Sequence, residues 1–159
     1  MDILRRQQHP AASAEPGPGR GAVVTVGLGL LASYHLALAL LMAALPHVFF
    51  ATVGPFGIRN DHYIRDVATY NAAFGLGMAL AVVRPSWRVP VLAITLAQFA
   101  LHSVNHLLDA DTAHPAWTGY VDLVSLAAGT VLVAWLLRAA LGQRTSPLLH
   151  SLHRKGDPP

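Results

Sequence analysis

The chain contains no cysteine. Disulfides, zinc–thiolate sites and thiol catalysis are therefore out of its reach when it acts alone. Charge is scarce too. Asp, Glu, Lys and Arg make up 12% of the residues, against roughly 25% in an ordinary soluble domain. Hydrophobic residues supply 53% and the mean hydropathy is +0.44, a balance that argues for a membrane protein. No internal repeat is visible, which weighs against an alternating-access transporter built from one copy. A length of 159 residues accommodates one compact domain.

What is present is four apolar stretches near the ~20 residues that cross a bilayer. They are Ala22–Leu45, Tyr63–Val83, Val89–Leu108 and Ala116–Leu141. Proline punctuates them: Pro46 and Pro85 follow the first and second, and Pro90 and Pro115 sit where a helix opens and tolerates proline. Arg84–Pro85–Ser86–Trp87–Arg88 reads as a tight hairpin with an interfacial tryptophan. The expected fold is all-α, a four-transmembrane-helix bundle over 21–141. It is flanked by a disordered tail over 1–20 and a basic, mobile tail over 142–159. The first apolar run is too long and starts too late for a cleaved signal peptide, so it is read as a retained helix.

Charge orients the bundle. Arg5, Arg6, Arg20, Arg84, Arg88, Arg138, Arg144, Arg154 and Lys155 fall on one side, and only Arg59 and Arg65 on the other. The bias predicts both termini in the cytoplasm, in a multi-pass protein of the bacterial plasma membrane. The net charge of +3 is explained by that asymmetry, without nucleic acid as a partner. The first outer loop, Pro46 to His62, is too apolar for a solvated linker and is expected to lie in the interface or cap the bundle mouth.

The third stretch carries a polar stripe. At 100° per residue, Thr95, Gln98, His102, Asn105, His106 and Asp109 fall on one face. Polar groups in hydrocarbon need partners, so this face is expected to look inward. The second stretch opens with His62, Arg65, Asp66 and Tyr70, where His62, Asp66 and Tyr70 are four apart; Asn71 projects elsewhere and suits a helix contact. In the fourth, Thr118, Asp122, Ser125 and Gly129 share a face, and His35 lies near the middle of the first.

These donors suggest two chemistries. His102, His106 and Asp109 present nitrogen and oxygen ligands, with paired imidazoles at i, i+4, to a transition metal. Alternatively His35, His62, Arg65, Asp66, Tyr70, Gln98, Asn105 and Asp122 line a pocket for a quinone or similar small ligand. A haem held between His35 and His102 is the weakest option. Each residue also has a plain structural reading. Asp66 or Asp122 neutralises Arg65, the histidines hydrogen-bond neighbouring helices, and the small residues Gly27, Gly29, Ala72, Gly75 and Ala79 let backbones approach.

The layout, the apolar first outer loop and the run Asn60–Asp66 together resemble the small bacterial four-helix DoxX-like membrane proteins, over roughly 22–141. That resemblance implies a small accessory or redox-associated subunit, in contact with the bilayer and with membrane-complex subunits or further copies of itself. It fixes no reaction and no substrate. The competing expectation is a purely structural or assembly subunit whose polar residues serve helix packing.

Overall fold

A computed structural model describes residues 19–154, with side chains described over 21–143. The helices are α1 (Arg20–Ala44), α2 (Pro46–Thr52), α3 (Asp61–Val83), α4 (Arg88–Asp109) and α5 (Ala116–Arg154). Two 3-10 turns, Pro85–Trp87 and Ala110–Thr112, join α3 to α4 and lead from α4 toward α5. Among the described residues there is no strand, and four helices are long and apolar enough to cross a membrane. Their outward faces carry Leu30, Leu40, Leu76 and Leu101, as a lipid-facing surface requires.

Local chemistry sets the boundaries. Pro46 cannot donate to the last turn of α1; it closes that helix and occupies the first position of α2. Asn60 caps α3, its Oδ1 accepting from the backbone N–H groups of His62 (3.1 Å) and Tyr63 (3.3 Å). Gly57, with φ of 59°, supplies the one left-handed residue in the descent from α2 to α3. The hairpin expected at 84–88 is present as a single 3-10 turn. Of the tail expected over 142–159, the part up to Arg154 is helical, since α5 continues to that residue, and the rest lies outside the described residues. The disordered tail over 1–20 falls almost wholly outside the described residues.

The long helices form two close pairs, α1 along α3 and α4 along α5. The pairs meet more sparingly through α1–α5 and α3–α4. At two of the small residues the contacts are close, while Gly29 has nothing within 4 Å of where a side chain would start. A Cβ on Gly75 would stand 2.7 Å from Leu36, and one on Gly27 2.7 Å from Leu136. A core of Leu28, Met78, Leu92, Val133 and Leu136, each less than 2% exposed, fills the bundle at the end away from α2.

Arg88 locks that end. Its Nη2 donates to Thr25 Oγ1 of α1 at 2.8 Å and to Val82 O at 3.5 Å, its Nη1 to Gln143 Oε1 of α5 at 3.2 Å, and its Nε to Ala81 O at 3.3 Å. The two carbonyls belong to the last turn of α3, whose C=O groups lack intrahelical partners and carry the negative end of the helix dipole. From the sequence, Arg88 is a loop charge that orients the chain. In the fold it also ties α4 to the other three long helices.

Candidate functional site

At the α2 end the packing opens. A cleft of about 530 Å³ lies between the helix pairs, with walls from α1, α3, α4 and α5 and a roof from α2 and the loop after it. A cavity of that size holds a small organic molecule. Its lining is mostly apolar: Leu38 and Met42 of α1, Ile64 and Val67 of α3, Phe99 of α4 and Leu126 of α5 among others. Polar groups are confined to His102 and His106, Asp122 and Ser125, and the phenols Tyr34 and Tyr63.

The roof is the apolar loop that the sequence marks as a cap. Phe49, Val53, Gly54 and Phe56 line the cleft. The loop is pinned across the mouth. Phe56 pairs with Ala113 in an isolated antiparallel bridge, and His114 N–H donates to Pro55 O at 3.1 Å. Phe56 also meets the His106 ring edge to face, with centroids 5.0 Å apart. The start of α5 is seated by Gly119, which lies directly on the Ala110 carbonyl and has no room for a side chain.

The histidines form a ladder on α4. Gln98 Nε2 lies 3.4 Å from His102 Nδ1, and His102 Nε2 lies 3.2 Å from His106 Nε2. His106 Nδ1 and Gln98 Oε1 are buried with no hydrogen-bond partner among the described residues. On the adjoining helix α5, in the lining of the same cleft, Asp122 Oδ2 is likewise buried and without a partner among the described residues, within electrostatic reach of both His106 and Tyr34. Leaving such groups unpaired costs about 1–3 kcal/mol each, more for a charge, so their gathering at one cavity demands an explanation.

Of the residues singled out by sequence, the structure brings His102, His106 and Asp122 to the cleft, with Gln98 behind His102. The predicted α5 face holds: Asp122, Ser125 and Gly129 all line it, with Thr118 buried beyond. Asn105 and Asp109 of the α4 stripe are instead exposed. Among the described residues no group of three or more metal-ligating side chains forms, so His102, His106 and Asp109 do not assemble as a set. The two imidazoles face each other rather than a common point.

His62, Arg65, Asp66 and Tyr70 lie on the exposed side of α3, away from the cleft. His62 Nε2 and Asp66 Oδ2 are 3.4 Å apart, and Arg59 pairs with Asp61 at 3.0 Å. Arg65 is in no ion pair among the described residues, so the expected bridge to Asp66 or Asp122 does not form. The second stretch lends the site only Tyr63, Ile64 and Val67.

His35 has the structural role. It is 4% exposed, and its Nδ1–H donates to Asn71 Oδ1 at 2.9 Å, joining α1 to α3. Asn71 Nδ2 in turn donates to Val67 O at 3.1 Å. The His35 ring packs against Tyr34, Phe74 and Phe99, of which Tyr34 and Phe99 also line the cleft. Sequence reasoning missed Phe99 and Tyr63, which look like any apolar or interfacial residue in a membrane helix.

No protein-family model, curated protein or solved structure matches the chain.

Proposed function

We propose that this is a small membrane-embedded binding protein, an accessory or redox-associated subunit whose cleft takes a ring-headed apolar molecule of the quinone class. One observation carries the reading. A cleft lined by every long helix keeps apolar walls throughout, except for a narrow polar strip where buried donor and acceptor atoms have no partner among the described residues. Apolar walls with a few convergent polar groups are what an amphipathic ring ligand needs. The charge asymmetry of the sequence supports a cleft on the outer side of a bacterial plasma membrane, with both termini cytoplasmic. A transition metal is less well served, since two mutually bonded imidazoles without a third ligand fall short of a metal's usual three or four.

The test is saturable binding of a decyl-chain benzoquinone to protein in nanodiscs, counted against protein-free discs. One site per chain is expected, lost when Ser125→Trp fills the cleft. Absence of saturable uptake, or uptake indifferent to Ser125→Trp, overturns the proposal.

The assembly-subunit reading has its own support in the exposed His62–Asp66 pair and Arg65 on α3. Ionisable groups turned outward from a spanning helix suit a protein neighbour. It predicts that Arg65→Ala releases the chain from a larger complex on native gels while leaving its own melting temperature unchanged.

A further inference from the structure

We infer that the occupant is held through a hydroxyl group, a phenol or hydroquinone-type O–H that bridges His106 Nδ1 and Asp122 Oδ2; this rests on the reading of the cleft as a ring-ligand site.

The argument is one of proton direction. An amide nitrogen only donates, so with the Gln98 amide set with Nε2 toward His102 Nδ1, 3.4 Å away, that ring nitrogen is assigned as the acceptor. A neutral imidazole with a bare Nδ1 carries its proton on Nε2. That proton lies along the 3.2 Å contact to His106 Nε2, which must accept it. His106 therefore carries its own proton on Nδ1. In that setting the ladder runs one way, Gln98 to His102 to His106, and delivers a buried N–H that nothing among the described residues accepts.

On α5, in the lining of the same cleft and within electrostatic reach of His106, is the complement. Asp122 Oδ2 is a buried acceptor that nothing donates to, and neither a hydrogen bond nor an ion pair joins it to His106. The group that completes both must accept from the N–H and donate to the carboxylate through the same oxygen. A hydroxyl does so. A carbonyl or an ether accepts only, and would leave Asp122 unpaired. The aromatic surroundings, Phe56 edge-on to His106 and Tyr34 near Asp122, favour a hydroxyl carried on a ring. The apolar wall of Leu38 and Met42 accepts the ring's substituents.

The experiment uses the full chain in nanodiscs and three probes differing only at the head: a decyl-chain benzoquinol, its quinone and its dimethyl ether. Equilibrium dialysis against protein-free discs gives each affinity. The quinol is expected to bind about ten-fold more tightly than the ether, with the quinone siding with the ether. In Asp122→Leu and in His106→Phe the quinol should fall to the ether's level while the ether's own affinity holds. These two substitutions are apolar and lie on different helices, so a folding defect in one leaves the other to decide. Quinol and ether bound alike by the wild-type protein, or a quinol preference that survives both substitutions, overturns the hydroxyl bridge and leaves the cleft as a ring-ligand site. Failure of all three probes to bind saturably overturns both.

Discussion

The two ends of this bundle are built from the same four long helices and could hardly be filled more differently. Away from α2, large aliphatic side chains interlock, and every donor of Arg88 described here finds an acceptor on α1, α3 or α5. Toward α2 the pairs part, a lid of phenylalanines replaces direct packing, and polar atoms are left buried without partners. In a membrane no hydrophobic force presses helices together, so close packing and interhelical hydrogen bonds hold the bundle. One end supplies both. The other gives up both around a cavity, and proteins retain such local losses where a ligand restores them.

The comparison breaks most visibly at the closed end. Leu136 is 1% exposed and rests on Gly27, where α1 and α5 come together. Leu136→Ala leaves a hole that rigid helix backbones cannot collapse into. A loss of about 2–4 kcal/mol is expected, read as a lowered midpoint of denaturation in detergent. If the midpoint holds, the closed end is not what keeps the helices together. Arg88→Ala comes next. It strips Thr25, Gln143 and two helix-terminal carbonyls of their donor together, and about 2–3 kcal/mol should go. Arg88→Lys keeps the charge and loses the fork, so it should fall between wild type and Arg88→Ala.

At the open end the sign reverses. Asp122 Oδ2 is buried and unpartnered in the unliganded chain. Asp122→Leu removes that penalty and adds apolar contact beside Leu126, so the midpoint should rise by the equivalent of about 1 kcal/mol. If Asp122 were instead a packing contact, the same substitution would lower it. This single measurement separates a ligand site from glue. Gly129→Ala sharpens the same point from the other side. Its new Cβ would stand 2.5 Å from the Phe99 ring, which is itself held edge-on by His35. The ring must move into the cleft, and ring-ligand affinity should drop several-fold with little change in stability.

Much of this was legible before any coordinates. Apolar length and proline placed three of the four long helices to within a few residues and the start of the fourth, because both act locally; the end of α5, which runs past Leu141 to Arg154, carries neither signal. The α5 face of Asp122, Ser125 and Gly129 was legible too, since one helix period fixes which residues go together. What periodicity leaves open is which way a face turns. His62 and Asp66 do share a face and do pair, but α3 buries the opposite side, marked by Ile64, Ala68, Gly75 and Met78. Small residues that admit a neighbouring backbone outweighed the polar residues in setting that rotation.

On α4 the error is smaller and has the same origin. Leu92, Thr95 and Phe99 point inward, and the polar stripe is centred some ~60° away from their mean direction. Gln98, His102 and His106 stay within reach of the interior, while Asn105, at the stripe's far edge, does not. The second role of Arg88 is hidden for a different reason. Nothing in a sequence tells a snorkelling arginine from one that curls back to cap the preceding helix.

The smallest expected effect concerns the histidine that the open end does not use. His35 and Asn71 join α1 to α3 through a 2.9 Å hydrogen bond, while His35 Nε2 stays buried without a partner. A double-mutant cycle on His35→Ala and Asn71→Ala should give a coupling of about 0.6 kcal/mol, the usual worth of such a bond between membrane helices. The quinol affinity should stay within about two-fold in Asn71→Ala, since Asn71 touches neither His106 nor Asp122 and the effect is that of a site without shared partners. A loss of binding as large as that of Asp122→Leu would mean that the polar strip continues behind Phe99 to His35. The boundary between the helix-packing histidine and the ligand-facing ones would then have to be moved toward the middle of the bundle.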